Sequence, residues 1–324
     1  IEPALAEEIF ACMLGYASYG FCEAHAAAFA TTSYKSAYLI RHHPAEYFTA
    51  ILNHQPMGFY PPRVIGNEVR RRGISLLPPD VCSSSIDFTV EQGAIRVGLK
   101  QIKGLSTASL ESIVNAREQA AYVSPLDFVV RTTIPQDSLE NLMRCGAMDS
   151  LCSHRRFLLS QLYYCLEKRQ ARQSGTTLLF EEQAIPTGAD FSPAEKRTWE
   201  YNLLGLYVGE HPMAAWRPML KNNGFKSSRD LPDCAAGMTV WAAGLLLHPH
   251  RPPTRSGKIT VFFSLEDEFG MIDATMFEDV YMKYGAYIFG PRHGPLLASG
   301  KLHRRGEGVS LIVQQVSPAL YSAT

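Results

Sequence analysis

The sequence has no run of ~18 apolar residues and no basic-then-apolar opening, so neither a membrane-spanning helix nor a secretory signal is expected. It has no C-x-x-C pair either. Its seven cysteines, at positions 12, 22, 82, 145, 152, 165 and 234, are odd in number and scattered, which argues against a disulfide framework or a zinc cage and fits reduced thiols. Charge of one sign is not in excess: Lys and Arg together number 31, as do Asp and Glu, so the formal net charge is zero. The simplest argument for a polyanionic partner disappears, and any nucleic-acid surface has to come from local segregation of charge. Internal repeats and low-complexity tracts are missing. So is an initial methionine: the chain opens at Ile1 within a stretch that already reads as a helix, which suggests a fragment of a longer protein. The expectation is a soluble, cytoplasmic chain with no membrane partner.

What is present is enough apolar material for more than one core. With 324 residues, 46% of them hydrophobic, several small modules are expected rather than one large domain. Across residues 4–52 apolar residues recur at helical steps (Leu5, Ile9 and Met13, then Ala37, Tyr38 and Ile40), broken by Gly15, Gly20 and Pro44, which predicts a compact bundle of short helices. One more helix spans 63–72 and stops at Gly73. Short strands are expected at 74–77, 88–90 and 95–97, a second helical block at 106–169, a polar linker at 170–190, and helix again around 194–201. Beyond residue 238, β-branched and aromatic residues alternate with turns in five runs, 240–247, 259–265, 272–277, 296–302 and 309–316, with a helix-like 279–284 between the third and fourth. That order matches an OB-fold barrel, so the fold class is multi-domain α+β.

Several segments carry recognisable chemistry. Val97-Gly-Leu-Lys-Gln-Ile-Lys-Gly-Leu-Ser106 leads into a helix, in the manner of a helix-hairpin-helix turn, where glycine lets a phosphate approach backbone N–H groups. Lys100 and Lys103 flank it, and Gly104 and Ser106 open the helix. Contacts of this kind hold the DNA backbone without reading sequence. An ordinary strand-turn-helix with solvated lysines has the same pattern. At Cys145-Gly146 the glycine follows a helix, so a plain C-cap is the reading there. In the expected barrel, Arg255 and Lys258 precede Phe262 and Phe263, a combination suited to single-stranded nucleic acid, with bases stacking on rings and cations tracking phosphates. Side chains alternate along a strand, so one of the two phenylalanines belongs to the core. Glu266-Asp-Glu268 reads as a solvated turn rather than a metal site. Lys301, Arg304 and Arg305, with His303, form a last basic cluster, either phosphate-facing or simply solvated.

Two long stretches resemble a known family. Tyr19-Gly-Phe-Cys-Glu-Ala-His-Ala-Ala-Ala-Phe29, continuing through Ser33-Tyr-Lys-Ser-Ala-Tyr-Leu39 and His43-Pro-Ala-Glu-Tyr47, is similar to the fingers region of bacterial C-family DNA polymerase III alpha subunits. Leu76-Leu-Pro-Pro-Asp80, the 98–106 hairpin, Leu203-Leu-Gly-Leu-Tyr-Val-Gly-Glu-His-Pro212 and Leu265-Glu-Asp-Glu-Phe-Gly270 follow in the family's order. Asn53-His-Gln-Pro-Met-Gly-Phe-Tyr60 looks like the error-prone branch.

The resemblance implies template-directed DNA synthesis in the parent polymerase, with Mg²⁺ held by palm aspartates that would precede Ile1, so this chain itself is expected to carry no catalytic residue and no cofactor. It implies an incoming dNTP near His25, although Cys22-Glu23 stands where the replicative branch has Asn-Lys, and His25 also reads as a capping or packing residue. It places a sliding-clamp peptide at Thr176-Thr-Leu-Leu-Phe180, with Leu179 and Phe180 as anchors and Thr176 in place of the usual glutamine; the same apolar cluster also reads as a tack to a neighbouring domain. The expected modules are residues 1–90 (fingers, C-terminal part), 91–170 (helix-hairpin-helix), 171–236 (clamp-binding linker and connector) and 237–324 (OB fold). The expected partners are duplex DNA and single-stranded template. Two alternatives stand beside this: a free-standing DNA-binding accessory protein, which lacks an upstream palm, and a synthetase anticodon barrel, which leaves the helical part unexplained.

Overall fold

The computed structural model describes residues 2–17, 23–58, 60–175, 188–254, 257–290, 294–306 and 308–319. Helices α1 (Pro3–Ala17) and α2 (Glu23–His42) lead into α3 (Pro44–Asn53) and α4 (Pro62–Arg71). The expected compact bundle is not formed by the first two. α2 has no buried residue, and Leu5, Ile9, Phe10, Phe29 and Tyr38 are exposed. The helical period is as expected, but period alone does not supply the surface that an apolar stripe packs against.

From α3 onward one core develops. A small sheet with the order β1 (Leu76–Leu77), β3 (Ala94–Arg96), β2 (Thr89–Glu91) sits against α5 (Thr107–Gln119), α6 (Pro125–Arg131), α7 (Gln136–Arg144) and α8 (Arg155–Gln173). Phe128, Ile95, Leu99, Ile113, Leu139 and Leu142 are fully buried in it, and the same core extends from Ala45 to Leu206 in α9 (Pro193–Leu204) and the turn after it. α10 (Pro212–Asn222) was not legible in the sequence, because Pro218 lies inside it and reads as a breaker.

The rest is a closed barrel of order β4-β5-β6-β8-β7, built from β4 (Thr239–His250), β5 (Thr260–Glu266), β6 (Met271–Phe277), β7 (Leu296–Arg305) and β8 (Gly308–Pro318). Helix α11 (Glu278–Phe289) lies between the third and fourth strands, so the barrel has the OB-fold arrangement. Val261, Phe263 and Leu265 point inward with Ile272, Ala274 and Met276 opposite, the alternation expected of a sheet closed around a core. No helix among the described residues is long and apolar enough to cross a membrane.

Candidate nucleic-acid interface

Two exposed surfaces gather the residues that the sequence singled out. The first is the hairpin turn before α5. A short 3-10 turn at Leu99–Gln101 is followed by Gly104 at φ +86, in the left-handed region where a side chain is strained. A Cβ there would also stand 2.9 Å from Asn141 Nδ2. The turn is fixed from below: Ser138 Oγ donates to Gly104 O at 2.6 Å, Asn141 Nδ2 to Lys103 O at 3.0 Å, and Lys103 N to Leu203 O at 2.9 Å. Ser106 caps α5 by accepting from Ser109 N at 3.2 Å, and the remaining first-turn N–H groups have no intrahelical partner. Lys100 and Lys103 are exposed beside this turn; Lys100 Nζ lies 3.6 Å from Asp87 Oδ1, a solvated pair too weak to hold it.

The following loop differs, as its sequence suggests. Gly146, at φ +85, ends α7 with Ala147 N donating to Leu142 O at 2.9 Å and Gly146 N to Met143 O at 3.3 Å. This is a Schellman cap. A Cβ on Gly146 would meet the Arg155 guanidinium, which is held between Asp149 and Glu200, so no space is left for a phosphate.

The second surface is on the barrel. Phe262 is 39% exposed, and its ring stacks on His250 at 5.6 Å and 27°. Phe277 is exposed one strand over, opposite Thr260. Beside them, Arg251, Gly257, Lys258 and Ile259 line a cleft, and the Arg251 guanidinium stands 5.8 Å over the Tyr281 ring. His250, Arg251, Phe277 and Tyr281 were missed in the sequence; the signal was the outward register of β5 and β6 beside a basic loop.

Other candidates are placed differently. Phe263, at 3% exposure, belongs to the barrel core and is withdrawn as a stacking residue, because no base can reach it. The Arg304 guanidinium is bonded to Pro232 O and Cys234 O, which makes it a clasp between the connector and the barrel rather than a free cation. Lys301 and Arg305 are exposed. His25 lies in the first turn of α2, exposed and edge-on to Phe29 at 4.6 Å, away from the hairpin and barrel cores. Arg255, Thr176, Leu179 and Phe180 lie outside the described residues.

The acidic run is not a solvated turn. Glu266 is fully buried, with Arg63 of α4 at 3.1 Å and Arg71 at 3.8 Å. Burial alone would raise its carboxyl, but the facing His211, Asn67 and Arg63 outweigh it and hold the group below the usual carboxylate range. Asp267 accepts from Ser228 N at 2.7 Å, Phe269 N at 2.9 Å and Gly270 N at 3.0 Å. Glu268 takes a two-point contact from Arg217, at 2.5 and 2.9 Å, which lowers its carboxyl against the opposing effect of burial. Asp267 and Glu268 thus share Arg217, whose Nη2 also donates to Asp267 Oδ2 at 3.2 Å, while Glu266 faces Arg63 and Arg71. Among the described residues no group of three or more His, Cys, Asp or Glu converges on a metal position.

Comparison with known proteins agrees with this arrangement. The helix-hairpin-helix motif family matches residues 73–158. An error-prone DNA polymerase of Symbiobacterium thermophilum is 43% identical over 98% of this chain and 33% of its own length. Error-prone DNA polymerases of Anaeromyxobacter dehalogenans and Dechloromonas aromatica are 34% and 32% identical over 98% of the chain, and over 28% and 30% of their own lengths. The chain therefore spans about a third of the length of these relatives. RecG bound to a three-way DNA junction covers 67% of the chain at 12% identity with a TM-score of only 0.26. The homologues along nearly the whole chain are thus error-prone DNA polymerases, and the helix-hairpin-helix match and the closed five-stranded barrel are consistent with the C-terminal region of a bacterial C-family DNA polymerase III alpha subunit.

Proposed function

We propose that this chain is the DNA-gripping portion of an error-prone DNA polymerase, in which the hairpin turn holds duplex phosphates and the barrel holds single-stranded template. The observation that carries the reading is the pairing of two different surfaces in one homologous chain. An exposed glycine turn at a helix N-terminus suits a phosphodiester backbone, which needs N–H groups and positive charge but no base contact. Exposed rings beside a basic loop suit unpaired bases, whose faces are available only when the strand is single.

Nucleotide addition then belongs to palm carboxylates outside this chain, with their Mg²⁺ ions, and the exposed apolar residues of α1 and α2 fit a surface that packs against the rest of the polymerase. In that assembly His25 faces the incoming dNTP, and Leu179 and Phe180 dock on the sliding clamp. The test is a salt titration of binding to matched duplex and single-stranded oligonucleotides. Lys100→Ala with Lys103→Ala should weaken duplex binding for all sequences and reduce the salt slope by roughly one for each phosphate no longer neutralised, whereas Phe262→Ala should weaken single strands selectively. If neither variant changes either ligand, the reading fails. The same preparation should extend no primed template with Mg²⁺, and alanine at Leu179 and Phe180 should abolish clamp binding with DNA affinity unchanged.

A further inference from the structure

We infer that the cleft between α4, the start of α10 and the β5–β6 hairpin is a phosphate-binding site, separate from both the hairpin turn and the barrel's stacking face. The cleft has a volume of about 410 Å³ and is lined by Asn67, Arg70, Arg71, His211, Arg229 and Phe269, with Glu210 and Glu268 at its edge. Three guanidiniums therefore meet there, and only Arg71 among them has a carboxylate partner within the described residues. Arg70 is bonded to oxygens that carry no full charge, namely the Tyr207 and Gly209 carbonyls and Asn67 Oδ1. Arg229 lies 3.9 Å over the Phe269 ring, where its N–H groups remain at the edge of the stack and open to a ligand.

The donors at the back of the cleft are incomplete. Asn67 and His211 are 3% and 8% exposed, yet Asn67 Nδ2 and His211 Nε2 have no hydrogen-bond partner, and neither has Arg71 Nη1. His211 Nδ1 accepts from Met213 N at 3.1 Å, which leaves Nε2 as the ring's N–H donor. Glu266 lies behind these groups, 3.8 Å from Arg71 and 4.0 Å from His211, and its own Oε1 has no hydrogen-bond partner, so it faces them as a charge and leaves each short of a full hydrogen bond. Buried donors short of a full hydrogen bond are costly, and an oxyanion in the cleft, with several acceptor oxygens, completes them together. α10 contributes its positive end through His211 and Ala214. Glu268 is engaged by Arg217, which it shares with Asp267, and Glu266 by Arg63 and Arg71, so Glu210 is the carboxylate at the edge that opposes an anion without a cation partner among the described residues. The phosphate belongs either to a DNA backbone passing between body and barrel or to a free phosphate species.

The experiment titrates the 324-residue chain with inorganic pyrophosphate in one arm and with a single-stranded oligonucleotide and a matched duplex in the other. Arg229→Ala is the informative variant, since its only described contact is a ring at the surface, and it should fold. It should lose about tenfold in affinity for the phosphate source, the effect of one charge-assisted contact, while Glu210→Gln should gain about twofold. Loss in the pyrophosphate arm assigns a free phosphate species, and loss confined to the oligonucleotides assigns the DNA backbone. Unchanged affinity of both variants in both arms overturns the inference. Because neither residue lies in the hairpin turn or on the stacking face, that outcome leaves the proposed DNA grip intact.

Discussion

The helical body and the barrel use the same residue types in opposite ways. In the body, arginines are largely consumed internally: Arg117 donates to Val81 O and Ser84 O at 3.0 Å, Arg169 to Ile134 O at 2.7 Å, and Arg131 to the carbonyls at the end of α5. Lysines are left at the surface, with Lys103 beside a turn whose backbone is fixed by α7 and α9. In the barrel, aromatic rings are divided by strand register, Phe263 inward and Phe262 outward. A basic side chain is therefore a poor indicator of a nucleic-acid surface in this protein unless its hydrogen-bond partners are known, and an aromatic one unless its register is known.

The largest effect that could break this comparison is in the barrel core. Phe263→Ala should destabilise the barrel by about 3–5 kcal/mol, read by denaturant unfolding, whereas Phe262→Ala should leave stability almost unchanged. Similar losses from the two would mean the register is wrong. Glu266→Ala should cost nearly as much, about 3–5 kcal/mol, because it leaves Arg63 partly buried without its carboxylate and Arg71 with Glu68 alone. The pH dependence follows from the lowered Glu266 carboxyl. A group held below its ordinary value of 4.5 stabilises the fold above that pH and loses its contribution as the pH falls through the folded value. Stability of the wild-type chain should therefore fall on acidification from about pH 4.5, and Glu266→Gln should flatten that part of the profile.

Smaller effects sharpen the functional side. Gly104→Ala should cost about 1–3 kcal/mol through left-handed strain and its crowding against Asn141, measured as a lower midpoint of thermal unfolding. Phe262→Ala should weaken single-strand binding by about 1–3 kcal/mol, measured by fluorescence titration, with duplex binding little changed. Lys103→Ala should have the smallest effect on stability, within about 0.5 kcal/mol, and show itself only as a shallower salt dependence of duplex binding.

Local structure was legible wherever local chemistry dictates it. Gly73 and Gly146 end their helices because a left-handed cap favours glycine, and the five barrel strands follow from period-2 alternation with turn residues between them. The order of those strands also carried the fold class. What failed to show in the sequence is instructive at Glu266. By alternation it follows inward-facing Leu265 and so points out of the barrel, as a solvated residue would. It is buried because α4, about two hundred residues earlier, lies over that face and supplies Arg63 and Arg71. The clasp made by Arg304 is invisible in the sequence for the same reason, since its carbonyl partners lie about seventy residues away. Sequence by itself determined periods, caps and turns, because these depend on residues within a few positions of one another. Which charges remain available to a ligand was decided by tertiary structure alone, because desolvation and ion pairing depend on what other elements bring alongside.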